Sequence, residues 1–308
     1  MFWASLCAIG ACANAGYYIV NKKFLRTVDP DILAASGFLC AGTILLIVSA
    51  ANGLPALGPL FIPAIAATAA INVVATLLTF RALATTDISL AVPMISFTPL
   101  FLIGTAALFL GELPSAAGTC GIIIIVVGSY VLNTAAEHTR ISDPFRAMIR
   151  SPGVCSMLAV AFLYAVAVNF DKIAVMNSDP FFGAAMTMLL IGIAFVPIAA
   201  WRRCRNRPGC SAGPLVHPAA GLPAASRVCQ REVAGAGLLV GLLITIEAVS
   251  INTAYITQIA PYVIAIKRMS ILIIVLYGAF VFHEKDVVRR LTGAVLMVFG
   301  AALILLFP

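Results

Sequence analysis

Residues 259–282 read IAPYVIAIKRMSILIIVLYGAFVF, an apolar run that carries two adjacent cations, Lys267 and Arg268. The apolar run before it holds an acid, Glu247. A run of this length can cross a bilayer, which takes about 20 residues of helix. The two cations then lie roughly 12 Å inside the run, at about 1.5 Å per residue. Charges at membrane depth are costly and usually mark a pathway or a binding cavity.

The rest of the chain has the same apolar character. Of its 308 residues, 62% are hydrophobic and 10% are charged, whereas soluble domains are roughly a quarter charged. We therefore predict an integral membrane protein in contact with membrane lipids. The net charge of +7 does not indicate a nucleic-acid partner, because Lys and Arg fall almost entirely between the apolar runs.

Ten apolar runs are long enough to span a bilayer. Backbone in lipid must satisfy its own hydrogen bonds, and the runs lack the alternation of barrel strands, so we predict an all-α membrane protein with ten transmembrane helices. The runs lie at about residues 2–21, 32–50, 57–80, 88–110, 115–134, 153–171, 180–201, 233–255, 259–282 and 287–307.

An internal repeat organises these runs. One offset of 172 relates Glu112, Gly121 and Gly128 to Glu284, Gly293 and Gly300, and an offset of 150 relates Lys22 and Asp29-Pro30 to Lys172 and Asp179-Pro180. We divide the chain into a first five-helix repeat (1–136), an interfacial linker (137–152) and a second repeat (153–308) with a basic insertion at about 202–232. An odd number of spans in each repeat forces the two repeats to be inverted in the membrane.

The placement of basic residues agrees with this topology. If every odd-numbered span ends on one side, the loops of that side hold nearly all Lys and Arg, and Lys172 is the exception. The positive-inside rule makes that side cytoplasmic and both termini extracytoplasmic. We therefore expect a multi-pass protein of the cell (inner) membrane.

Two segments resemble a known transporter repeat. Residues 81–93, RALATTDISLAVP, lead through Pro99 to Leu110-Gly111-Glu112, Gly121 and Gly128; residues from Asn252 through Lys267-Arg268 lead to His283-Glu284, Gly293 and Gly300. Both resemble the EamA repeat of the drug/metabolite transporter superfamily. The resemblance implies two inverted five-helix bundles around a cavity lined mainly by spans one, three, four, six, eight and nine. It also implies transport of small polar metabolites by alternating access, and packing or a homodimer through spans five and ten.

Lys267 and Arg268 are the leading candidates for substrate binding. A guanidinium and an ammonium in a cavity suit an anionic group, and a Lys-Arg pair in the ninth span also resembles the plastid sugar-phosphate translocators. The alternative is structural, since either cation could pair with Glu247 and fix spans eight and nine together. The positions matched by the 172 offset, Ile95 and Ser96, are uncharged, so only the second repeat supplies these cations.

Other polar residues at depth describe the remainder of the candidate cavity. Glu247 could carry a proton, pair with a cation or contact a substrate amine, and Asn252 and Tyr255 follow close to its face of the helix. The further candidates for substrate binding are Asn14, Tyr18, Asn72, Ser96 and Asn169. For each of these five, a hydrogen bond between helices is the competing interpretation.

Prolines and the repeated acids suggest roles in helix geometry. Pro93, Pro99 and Pro261 remove backbone donors, and bends there would suit gating or simple packing. We interpret Glu112 and Glu284 as caps or interfacial anchors for spans four and nine. The glycines at 121, 128, 293 and 300 allow close contact between helices.

These features favour a secondary transporter for a small polar metabolite with an anionic group, such as an amino acid or organic acid. The alternatives are a drug or cation exporter that uses Glu247, or a membrane protein without transport activity. We expect no catalytic residues, because the sequence has no HExxH, GxGD or Ser/His/Asp arrangement. We expect no cofactor and no metal, since Cys204, Cys210, His217 and Cys229 lack the compact spacing of zinc modules.

Overall fold

The computed structural model describes residues 2–24, 27–85, 92–133, 152–205, 230–274, 277 and 287–307. These residues are helical apart from short connections, and none of them forms a strand. The helices in chain order are α1 (Phe2–Phe24), α2 (Pro30–Asn52), α3 (Phe61–Thr85), a 3-10 helix (Val92–Phe97), α4 (Thr98–Leu110), α5 (Ala116–Asn133), α6 (Pro152–Met176), α7 (Pro180–Arg205), α8 (Gln230–Thr257), α9 (Ala260–Lys267) and α10 (Val287–Leu306).

Six of the described helices are long and apolar enough to cross a membrane: α1, α2, α3, α6, α7 and α8. Shorter apolar helices occupy Met94–Leu110, Ala116–Leu132 and Leu291–Leu306. The predicted all-α membrane class is therefore confirmed, and the count of ten spans stays a prediction.

The helix starts that are related by the offset of 150 have similar structures. Asp29 accepts a hydrogen bond from the Asp31 N–H at 2.9 Å, and Asp179 accepts from the N–H groups of Phe181 and Phe182 at 2.6 and 2.7 Å. Each aspartate precedes the proline that begins its helix. Such residues bind the free N–H groups of a first turn, where proline also fits.

Equivalent helices of the two repeats pack antiparallel. A Cβ on Gly42 of α2 would lie 2.7 Å from Leu189 Cγ, and one on Gly192 of α7 would lie 2.8 Å from Leu39 Cγ. Gly42 and Gly192 are related by the offset of 150, so each repeats the contact of the other. Because the paired residue numbers run in opposite directions, α2 and α7 cross head to tail, as inverted repeats require.

Helices α5 and α10 repeat this arrangement with the glycines of the other offset. A Cβ on Gly121 would lie 2.7 Å from the Gly300 carbonyl oxygen, and one on Gly128 would lie 2.8 Å from the Gly293 oxygen. The four predicted packing glycines therefore contact one another inside one chain. A homodimer through spans five and ten stays a prediction, and it would use other faces of these helices.

Spans four and nine are both discontinuous, at positions that the offset of 172 superimposes. The fourth span changes from the 3-10 helix to α4 after Phe97. The ninth ends its α-helix at Lys267, and tighter bonds follow from the Met269 N–H to the Ile266 oxygen (2.9 Å) and from the Ile271 N–H to the Arg268 oxygen (3.0 Å). Helical geometry resumes from 270 to 274.

The three prolines that we predicted to bend helices lie in first turns or in the 3-10 helix, and not in the interior of an α-helix. Pro99 lies in the first turn of α4, directly after the break in span four, and Pro93 lies within the 3-10 helix. Pro261 lies in the first turn of α9, where no helical donor is lost. It therefore does not cause the break in span nine, which lies seven residues beyond it. A proline that we did not single out, Pro197, lies inside α7.

Several predicted features fall outside the described residues. They are most of the interfacial linker, Glu284, and the basic insertion between α7 and α8 with Cys210, His217 and Cys229. The side chains of Lys22, Pro93 and Cys204 are likewise not described. The proposed domain boundaries stay predictions.

Candidate functional site

Lys267 forms an ion pair with Glu247 between α9 and α8. Its Nζ lies 2.5 Å from Glu247 Oε1, and Asn14 of α1 donates from Nδ2 to Glu247 Oε2 at 3.0 Å. Both carboxylate oxygens therefore have a donor, and three helices are joined at this point. The structural alternative for Lys267, pairing with Glu247, is what the geometry shows.

Arg268 is placed differently from its neighbour. It follows the last residue of α9, and its backbone N–H bonds to the oxygens of Ile264 and Ala265 at 3.1 and 3.2 Å. Its side-chain Nε is buried and has no hydrogen-bond partner. The charged and phenolic groups within electrostatic range are Tyr18, Tyr164 and Glu247. Arg268 is thus a cation without an ion pair among the described residues.

The helix break explains where the two cations lie. Basic groups are favoured at the carboxyl end of a helix, where the backbone carbonyls concentrate partial negative charge. Lys267 is in the last turn of α9, and Arg268 caps it. Because the α-helix stops here, Lys267 leaves it at the level of Glu247.

A second polar group lies between α3 and α6. Thr68 donates from Oγ1 to Asp171 Oδ1 at 2.7 Å, and Asn72 donates to the Thr68 carbonyl oxygen at 2.9 Å and to its Oγ1 at 3.2 Å. Asp171 also lies within electrostatic range of the Lys267 ammonium. Asp171 has no cation bonded to it within the described part of the chain.

Several of these polar groups are partly exposed. Tyr18 is 49% exposed, although charges from α8 and α9 lie close to it. The side chains of Lys267 and Glu247 are 28% and 15% exposed. Partly exposed polar groups on five different helices (α1, α3, α6, α8 and α9) indicate an opening between these helices.

One end of the bundle is closed by a separate ion pair. Lys172 Nζ lies 2.5 Å from Glu112 Oε1 and donates to the Gln258 carbonyl oxygen at 2.7 Å. Glu112 Oε2 accepts from the Ala260 N–H at 2.8 Å, so it caps α9. We call this set, Glu112, Lys172, Gln258 and Ala260, the end latch. Glu112 therefore caps a helix, but this helix is α9 of the other repeat, and the predicted anchoring of span four stays a prediction.

The end latch also explains why Lys172 departs from the topology pattern. Helix α6 continues to Met176, five residues beyond the predicted end of that run, so Lys172 lies inside the helix and is 4% exposed. A lysine held by a carboxylate and a carbonyl carries no topology signal.

The other candidate residues are distributed more widely. Asn252 and Tyr255 are buried on α8, at 9% and 3% exposure, and Tyr255 is within range of Asp171 and Glu247. Asn169 is fully buried; its Nδ2 donates to the Ala165 oxygen at 2.9 Å, and its Oδ1 has no partner. Ser96 is bonded to Ser129 of α5 at 2.8 Å, which is an interhelical contact, and its part in substrate binding stays a prediction.

Asp171 and Thr68 are the site residues that sequence reasoning missed. The predicted span ended at 171, so Asp171 was assigned to a helix end. A signal was present nevertheless, because Asp171 follows Tyr164 by seven residues, which is two helical turns and hence the same face.

Fold and site together define a class of protein. A two-repeat helical bundle in the membrane, with discontinuous helices and charged groups meeting between the repeats, has the design of a multi-pass transporter. The EamA-like transporter family matches residues 1–134 and 151–306. The chain therefore belongs to this family of the drug/metabolite transporter superfamily, and the predicted resemblance is confirmed.

The comparison of structures supports the same fold. A solved structure, described only as a crystal structure of a protein, has a TM-score of 0.70 at 15% identity, and the match covers 98% of this chain and 97% of that one. This likeness shows the fold alone. No curated protein matches the sequence.

Proposed function

We propose that the protein is a secondary transporter that moves a small polar metabolite with an anionic group, such as an amino acid or organic acid, across the cell (inner) membrane. Ten spans in two inverted repeats would carry this out by alternating access. The nine helices α1 to α8 and α10, with the 3-10 helix extending α4, and the broken ninth span supply the ten spans.

The observation that carries the proposal is the Arg268 guanidinium, which forms no ion pair with any residue that the structure describes. A cation at membrane depth costs about 2.5–3.5 kcal/mol on insertion scales, and the neighbouring Lys267 is neutralised by Glu247. Arg268 keeps a buried Nε without an acceptor. A planar guanidinium binds carboxylates and related anions through two parallel hydrogen bonds. Arg268 is thus the primary anion receptor in this proposal, and Lys267 contributes a second, compensated charge.

The pairing of Glu247 favours this function over export of lipophilic cations. Both of its oxygens already have donors, Lys267 and Asn14. An organic cation would have to displace the lysine from it. The exporter would be supported instead if cationic dyes inhibited transport and if transport required Glu247.

The breaks in spans four and nine support alternating access. They lie at equivalent positions of the two repeats, and the cations lie at one of them. Residues at a break can change direction without unfolding a whole helix. The end latch holds one end of the ninth span closed, while the opening around Tyr18 lies further along the bundle.

The test is uptake of radiolabelled amino acids and organic acids into proteoliposomes. Arg268→Gln should lower uptake of the anionic substrate by about tenfold or more, because a charge-assisted hydrogen bond is lost. Arg268→Lys should restore part of it. The matched control is Lys23→Gln, a change of an exposed cation at the end of α1. Uptake that is equal in wild type and Arg268→Gln would rule out the proposed receptor.

A further inference from the structure

The charged side chains at depth are paired unevenly. Glu247 is neutralised by Lys267 and Glu112 by Lys172, each at 2.5 Å. Asp171 and Arg268 are left without a counter-ion among the described residues. The described part of the bundle therefore contains one acid, Asp171, and one base, Arg268, that form no ion pair. A ligand that neutralises both must itself carry charges of both signs.

Asp171 is held ready to accept further hydrogen bonds. The Thr68 hydroxyl occupies one lone pair of Oδ1 at 2.7 Å, and Asn72 fixes that hydroxyl from one turn further along α3. An ionised carboxylate has about four acceptor sites, so most of its capacity remains. The group is also partly exposed, which leaves a route for a donor to reach it.

Ionisable groups from two other helices lie within electrostatic range of Asp171. Lys267 of α9 is within range, but its Nζ is bonded to Glu247 of α8. From α8, Tyr255 is also within range. Neither provides a cation bonded to the carboxylate within the described part of the chain, so acceptor sites of Asp171 remain available to a ligand.

The two uncompensated charges are well separated. Asp171 is next to Lys172, whose Nζ donates to the Gln258 oxygen at the start of α9 at 2.7 Å, whereas Arg268 lies eight residues beyond Ala260, the first residue of α9. At 1.5 Å per residue, the two levels are roughly 12 Å apart. The α-amine of a simple amino acid lies too close to its carboxylate to reach both poles. A terminal amine or guanidine on an extended side chain spans this distance.

We propose that the site takes a dipolar metabolite whose cationic group, at the far end of an extended chain from its anionic group, binds Asp171. The class is that of the basic amino acids and their analogues, with the carboxylate at Arg268. This inference rests on the proposed transport function. Thr68 and Asn72 are positioning residues, because they orient the Asp171 carboxylate.

The experiment compares two probes of similar length in proteoliposomes. Labelled L-lysine carries the terminal cation, and labelled L-norleucine has the same chain without it. Wild type should take up lysine at least about tenfold faster than norleucine at equal concentration, since only lysine gains a charge-assisted bond. Asp171→Asn should lower this ratio about tenfold. Asn can still accept the Thr68 bond, and the melting temperature of each purified variant checks the fold.

A second variant and a matched control sharpen the result. Thr68→Val removes only the orienting hydroxyl, so it should lower the lysine-to-norleucine ratio by a smaller factor. Asp29→Asn makes the same chemical change at a helix cap, away from the opening, and should leave the ratio as in wild type.

Three other outcomes would overturn the inference in distinct ways. An unchanged ratio in Asp171→Asn would exclude Asp171 as the cation site, while transport itself stands. If Asp171→Asn lost the pH-driven uptake of both probes but retained the exchange of both probes, Asp171 would be a proton carrier. Failure of wild type to transport any amino acid or organic acid would reject the proposed function.

Discussion

Two residues that are adjacent in sequence have different surroundings in the structure. Lys267 is bonded to Glu247, and that carboxylate is also bonded to Asn14. Arg268 has a buried Nε with no partner. The difference follows from geometry, because successive residues on a helix point about 100° apart and the helix ends between the two.

At the residue scale, we expect the Lys267–Glu247 pair to be needed for stability. Glu247→Gln leaves a half-buried ammonium without its counter-ion and should cost on the order of 1–3 kcal/mol, less than for a fully buried pair. Adding Lys267→Met should recover part of the loss, because no unpaired charge remains. Thermal unfolding of the purified variants, as a double-mutant cycle, measures the coupling. Additive losses would show that the pair contributes nothing.

At the element scale, glycine contacts set how closely the equivalent helices approach. The Cβ of an alanine at 121 would lie 2.7 Å from the carbonyl oxygen of Gly300. Backbone cannot move aside as a flexible side chain can, so α5 and α10 would have to separate. In a membrane, where association depends on close packing between helices, that separation costs stability.

We therefore predict that Gly121→Ala destabilises the protein by about 1–3 kcal/mol, as overpacking typically does. The control is Gly104→Ala in α4, where an added Cβ meets nothing within 4 Å. That change should be neutral or slightly stabilising, since alanine favours helix. The melting temperatures of the two variants make the comparison. Equal melting temperatures would contradict the tight packing of α5 on α10.

Another element-scale feature is the shared break in spans four and nine. The two breaks differ in detail, since one is a 3-10 helix and the other a tight turn after Lys267. Their equivalence under the offset of 172 indicates that the break belongs to the repeat. The cations belong to one copy only.

At the scale of the whole molecule, contacts between the repeats close one end. Besides the end latch, the Gly58 N–H bonds to the Asn177 oxygen at 2.8 Å, joining two loops. Ser115 Oγ donates to the Phe307 oxygen at 2.9 Å, and its N–H donates to the Tyr262 hydroxyl at 2.8 Å. These bonds link segments far apart in sequence, so they join the two repeats at this end.

We predict that Lys172→Met opens this end. The change leaves the partly buried Glu112 carboxylate without its cation and removes the bond to Gln258, so the start of α9 should loosen. Hydrogen exchange should become faster for the backbone amides of residues 260 and 262–264, and stability should fall by about 2–4 kcal/mol. The control is Lys23→Met, at an exposed position. Exchange as slow as in wild type would show that the latch does not hold α9.

Much of the architecture could be predicted from sequence because it depends on local quantities. The lengths of apolar runs gave the helices, and the aspartate-proline and glycine offsets gave the repeat. The end of α6 was misplaced because Asp171 and Lys172 are polar, and local composition cannot show that other helices neutralise or enclose them. Local composition also could not show that Ser96 packs against α5, because a helix in lipid is apolar on nearly every face.

The sequence by itself determined the membrane class, the duplicated order of helices and the presence of costly charges within the spans. Only the tertiary structure decided which charges compensate each other. Ion pairing acts over a few ångströms, and the residues that meet here, such as Asn14 with Glu247 or Glu112 with Lys172, are brought together by helices far apart in the chain. For that reason Arg268 and Asp171 became distinguishable from their paired neighbours only once the helices were packed.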